Sequence, residues 1–153
     1  MTWPASPDVA LSTFRDQLVA ASTTAGQTIA AGNVHYPHFD PSNRATPDTI
    51  PAFHITTFKR RKVPFAAGAA GLSQWDAEVN LLVPRATSIS DAEKLADAIL
   101  EALSAQQTGH VWRSLERGDC TEPTAAAEAA AAGGGTIPNY RAVPLTCGMG
   151  LEP

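Results

Sequence analysis

The chain has 153 residues, 17% of them charged, and a formal net charge of -4. That length suits one domain with a core of its own, since folding at this size hides roughly 70% of the unfolded chain's surface. The acidic balance excludes a general nucleic-acid binder, whose basic footprint dominates its domain, and no apolar run approaches the ~20 residues of a membrane-spanning helix. A charged fraction below the usual ~25% suits a surface partly covered in an assembly. The opening MTWPASPD has neither a basic segment nor an apolar run of the kind that begins a secretory leader. Cys120 and Cys147 lie far apart and form no CxxC pair, so the expectation is a protein folded in cytoplasm with free thiols.

The first element is a helix. Ser6 is placed to cap it, Pro7 suits the first helical position and Asp8 complements the positive end of the dipole. Phe14, Leu18, Ala21, Ala25 and Ile29 recur at steps of three and four, an apolar stripe that predicts helix up to a stop at Gly32. Thr23, Thr24 and Gly26 weaken its second half. A short strand is expected at 34–36, then a link in which Pro37, Pro41 and Pro47 forbid a regular element.

Residues 50–58, IPAFHITTF, read as a strand with Phe53, Ile55 and Thr57 on one side and Ala52, His54 and Thr56 on the other. A second strand has the cleanest period-two pattern in the chain: Trp75, Ala77, Val79, Leu81 and Val83 alternate with Gln74, Asp76, Glu78, Asn80 and Leu82. Between them, residues 59–71 are expected to form the tip of a long antiparallel hairpin. A second helix follows at 88–106, its capping box expected at Ser90 and Glu93 and its stripe at Leu95, Ile99 and Leu103. Residues 110–115 read as a strand, 116–119 as a turn, and the Ala/Gly-rich stretch at 121–136 as low-complexity insert. A last strand is expected within 140–149, at a sheet edge or a bulge because Pro144 lacks a donor. The fold class is therefore α+β: a mostly antiparallel sheet of about four or five strands, with two helices packed on one face.

Candidate chemistry is sparse. His35, His38 and Asp40 fall within six residues, but with neither the helical nor the knuckle spacing of a metal site, and the histidines read as loop residues packed on Tyr36 and Phe39. Asp76 and Glu78 share the wet face of a strand, where carboxylates stay solvated. GAAG at 68–71 and GGG at 133–135 lack the lysine and helix of a phosphate loop. Arg117, Gly118 and Asp119 spell an adhesion tripeptide that a plain turn explains. No catalytic residue, cofactor or metal is expected. Lys59, Arg60, Arg61 and Lys62 hold four of the eleven cations. With Phe65 beside them they fit a solvated loop, a loop that docks a protein partner, or a contact with phosphates.

Taken in order, these elements resemble the tail terminator (tail-completion) proteins of long-tailed bacteriophages and related gene-transfer particles. The resemblance is carried by AAGNVHY at 30–36, the IPAFHI strand opening at 50–55, WDAEVNLLV at 75–83 after the long hairpin, the helix at 91–103 and the final strand. It spans residues 8–115 and, more loosely, 136–150; the insert departs from it. The resemblance implies a non-enzymatic virion protein, assembled in the host cytoplasm, that forms a ring, usually of six copies, on the head-proximal end of the tail tube. Such a ring stops tube growth and offers a second face to the head connector, and DNA passes through its lumen. Lys59, Arg60, Arg61, Lys62 and Phe65 would then be partner-binding residues at the hairpin tip. Two other readings stay open: a head-completion or neck protein of the same particle, and a small cytoplasmic α+β ligand-binding protein.

Overall fold

The computed structural model describes residues 7–36, 51–62, 73–106, 112–120 and 140–149. Helix α1 spans Pro7–Thr24, and a 3-10 turn at Ala31–Asn33 leads into the short strand β1, Val34–His35. Strands β2, Ala52–Lys62, and β3, Ser73–Pro84, precede helix α2, Ile89–Ala105. Strands β4, Trp112–Arg117, and β5, Tyr140–Met149, complete the order. One five-stranded sheet runs β1-β2-β3-β5-β4. The first pair is parallel and the rest are antiparallel. Because β5 lies antiparallel between β3 and β4, those two strands are parallel to each other and α2 is their crossover, a split β-α-β unit. The class is α+β, as the sequence pattern predicts. Among the described residues no helix is long and apolar enough to cross a membrane.

Both helices pack on one face of the sheet. Their contribution is Leu11, Phe14, Leu18, Ile99 and Leu103; the sheet adds Phe53, Ile55, Trp75, Val79, Leu81, Trp112, Val143 and Leu145, all buried. Each large apolar side chain hidden in this way stabilises the fold by ~1.5–3 kcal/mol. On the opposite face Ala52 and Leu82 are cross-strand partners and both are buried, though outside that core. Leu82 was therefore misplaced on a wet face by strict alternation.

Several boundaries differ from the sequence expectations. Helix α1 stops at Gly26 rather than Gly32. Gly26 has φ +90°, the left-handed conformation that glycine adopts at least cost. The Gly26 amide donates to the Thr23 carbonyl and the Gln27 amide to the Ser22 carbonyl, the paired bonds of a Schellman stop. The hydroxyls of Ser22, Thr23 and Thr24 already bond back to helix carbonyls, which weakens the last turn. Ile29 still reaches the core, but from an extended segment folded back on the helix, its amide donating to Ser22 Oγ at 2.9 Å.

At α2 the cap is Ser88, not Ser90: its hydroxyl accepts from the Asp91 amide at 3.1 Å. The helix thus opens with a serine cap three residues ahead of an acid, two positions earlier than expected. Strand β5 is not an edge, since it lies between β3 and β4. Pro144 is tolerated because the ladder with β4 ends at Arg117 opposite Leu145. Its carbonyl accepts from the Gly118 amide at 2.8 Å, and its missing donor points to the same side, just past the end of β4. A Cβ on Gly118 would meet Pro144 Cγ at 2.6 Å, so this close approach requires glycine.

Candidate interaction surface

The basic run is strand, not loop. Lys59 pairs with Asp76, Arg60 with Trp75, Arg61 with Gln74 and Lys62 with Ser73. The expected tip at 59–71 therefore begins four residues later, and residues 63–72, Phe65 included, lie outside the described residues. So do Ser6, His38, Asp40 and the insert at 121–136.

A bulge decides which residues face the core. Ile55 stands opposite Val79 and Thr57 opposite Glu78, so Thr56 is an extra residue in β2. One inserted residue reverses the facing of everything beyond it. Thr57, expected beside Phe53 and Ile55, moves to the open face, where its hydroxyl donates to Glu78 Oε2 at 3.3 Å. Phe58 moves to the helix face. Its ring stacks on Trp75 at 4.8 Å and on Phe14 at 5.6 Å, and Phe14 in turn meets Trp112 at 4.8 Å. This four-ring cluster joins α1, β2, β3 and β4 directly beneath the basic segment. Trp112 is also fixed through its polar edge: Nε1 donates to Gln17 Oε1 at 2.8 Å in the buried interior.

The pleat then sets Lys59 and Arg60 on opposite faces of the sheet. Arg60 shares the helix side with Trp75, and Lys59 shares the open side with Asp76; both are exposed. A contiguous charge run in the sequence thus lies at a strand end, with Lys59 opposite Asp76 on the open face and Arg60 on the helix face. Strand β1 pairs only with Phe53 and His54. Among the described residues, the outer edge of β2 beyond His54 has no strand partner.

Other candidates are held in structural roles. Asp76 and Glu78 are cross-strand neighbours of Lys59 and Thr57. Arg117, the first residue of the adhesion-like tripeptide, is tied to α2: Nε donates to Asp97 Oδ1 at 2.7 Å and NH1 pairs with Glu93 Oε2 at 2.9 Å. The Asp97 hydrogen bond is the main cause of a raised guanidinium pKa. Burial pushes the Cys147 thiol up to about 12, so it presents no thiolate near neutrality. Cys120 and Cys147 are both free thiols.

The parallel β1–β2 ladder sets His35 beside His54. Burial lowers the His54 pKa, and the nearby His35 lowers it further. His54 Nε2 is buried without a hydrogen-bond partner among the described residues. No local signal links these two histidines, because their pairing spans the proline-rich link. Burial raises the Tyr36 hydroxyl. Among the described residues no group of three or more His, Cys, Asp or Glu side chains is arranged to hold a metal ion.

No protein-family model and no functionally curated protein matches the chain.

Proposed function

We propose that this protein is a tail terminator subunit of a long-tailed bacteriophage or a related particle. About six copies close into a ring on the head-proximal end of the tail tube, stop its polymerisation and join it to the head connector. Recognition between surfaces does the work, and no bond is made or broken. The reading rests on the resemblance in element order together with one observation, the end of the β2–β3 hairpin. There an aromatic cluster packs beneath a strand that carries four of the eleven cations of an otherwise acidic subunit. A charged strand end on a sheet with both helices on one face suits a subunit that must present different surfaces to its copies and to two axial neighbours.

In this arrangement the basic hairpin end meets an acidic neighbour along the ring axis. It does not line the lumen, where a cationic constriction would retain the DNA that must pass. The test replaces Lys59, Arg60, Arg61 and Lys62 together, once by glutamate and once by glutamine. The neutral set avoids placing a new carboxylate opposite Asp76, which would be a destabilising like-charge pair. Both sets should leave rings visible by electron microscopy while tails fail to join heads or tubes overgrow. Normal particles from both variants would discard the role of the hairpin end. Isolated tubes left undecorated by the wild-type protein would discard the tail terminator reading itself.

A further inference from the structure

The β1–β2 ladder carries the second conclusion. It is short and parallel, with Val34 opposite Phe53 and His35 opposite His54. Register partners share a face of the sheet. Val34 therefore lies on the helix side with Phe53, where it packs against the core as a partly buried residue. His35 lies on the open side with His54. One face of β1 is held by apolar contact, and the other sets two imidazoles side by side.

Both histidines are half-buried. Nε2 of each ring is shut off from solvent, and in His54 that atom has no hydrogen-bond partner among the described residues. Such a place tolerates a neutral imidazole far better than a cation. With His35 protonated, a proton on His54 also sets like charges directly opposite each other, which is destabilising. The described surroundings of His54 do not offset that charge. Strand β3 places uncharged Asn80 opposite it, with Glu78 two positions further along the same face. Glu78 is exposed, accepts the Thr57 hydroxyl and is screened by water. The next charge along β2 on that face, Lys59, is itself a cation and lies beyond the bulge. Tyr36, which follows β1, keeps its proton near neutrality because burial raises its hydroxyl further. Both helices lie across the sheet.

A state in which β1 has left β2 returns His54 to water and parts it from His35. That state takes up the proton more readily, so acid favours it. A two-residue ladder also opens at less cost than the long β2–β3 and β3–β5 ladders. We infer that β1 is an acid-released latch: protonation at the His35–His54 pair lifts Val34 and His35 off β2 while the antiparallel ladders stay closed. Release uncovers the outer edge of β2 at Phe53 and His54, which the latch covers near neutrality. The His54 pKa lies below its ordinary value of 6.5, through burial first and His35 second. The latch is therefore shut above 6.5 and opens as pH falls through the lower folded value. This goes beyond the tail terminator reading and does not depend on it.

The test is an NMR titration of the full chain between pH about 7.5 and about 5, with amide exchange measured at both ends. The His54 ring should titrate below 6.5. In His35→Gln its midpoint should rise, yet stay below 6.5 because burial persists. Protection of the ladder amides within 34–36 and 53–55, corrected for the intrinsic pH dependence of exchange, should fall about fivefold or more across the range, while β3 and β5 hold theirs. In a chain carrying both His35→Gln and His54→Gln, ladder protection should not change with pH. A His54 midpoint unmoved by His35→Gln would show the two rings uncoupled. An equal fall in the double variant would put the acid response elsewhere, and a uniform fall across β3 and β5 would make it global unfolding. Constant ladder protection in the wild-type chain would mean no release. Each of these results overturns the latch. If the double variant does not fold, the wild-type profile and His35→Gln still decide. The experiment needs neither ring nor tail tube, so failure of the latch and failure of the tail terminator reading are seen separately.

Discussion

The two ends of β2 are built to different rules. At Phe53 and His54 the strand is paired on both sides, by β1 and β3, and Ala52, Phe53 and Ile55 are buried. At 57–62 it is paired with β3, has no described strand on its other side, and carries four cations. A single extra residue, Thr56, separates them. The difference shows how one strand serves two purposes: the proximal end is core, while the distal end is surface packed from beneath by Phe14, Phe58 and Trp75.

Breaking the support beneath the distal end should have the largest effect. Phe14 is fully buried between Phe58 and Trp112, and Phe14→Ala should lower stability by about 3–5 kcal/mol in urea unfolding. Hydrogen exchange should rise most at 57–62; a uniform rise along all of β2 would mean that its ends are not separate units. Inserting one alanine between Thr57 and Phe58 comes next. Period-two alternation would then carry Phe58 off the helix face, at a loss of about 2 kcal/mol of burial, while the pairs at Phe53 and Ile55 persist.

A sharper contrast comes from the two tryptophans. Gln17→Leu removes the acceptor of Trp112 Nε1 and should cost about 1–3 kcal/mol, because a buried donor is left unmet. Trp75 Nε1 has no hydrogen-bond partner among the described residues, so Trp75→Phe should cost less than Trp112→Phe by calorimetry. The smallest effect belongs to the proximal end. The folded His54 pKa lies below its ordinary value of 6.5, so the unfolded chain binds the proton more readily. The stability due to neutral His54 is present above 6.5 and is lost as pH falls through the lower folded value. His54→Gln should flatten that loss in unfolding curves taken above and below 6.5.

Much of this molecule was legible locally. The alternation from Trp75 to Val83 marks β3, and Ala92, Ala96, Ile99 and Leu103 are buried along α2 near the expected stripe. Strand β5 falls within its expected span. What failed were choices between equivalent local signals. Gly26 and Gly32 are both plausible stops for α1, and the pair of bonds onto Ser22 and Thr23 selects Gly26. Ser88 and Ser90 are both plausible caps for α2, and the bond from Asp91 selects Ser88. The candidate surface was legible as charge but not as shape, because a run of cations looks the same in a loop and at the end of a strand.

Sequence alone determined the α+β class, the alternation of β3, the apolar faces of the two helices and the clustering of cations at 59–62, because each depends on residues within a turn or two of one another. Tertiary structure alone decided the bulge at Thr56, the meeting of His35 with His54, the Gln17–Trp112 bond and the placing of Lys59 and Arg60 on opposite faces. Each of these joins segments far apart in the chain, and the free energy that selects them comes from burial and pairing that exist only once the sheet has closed.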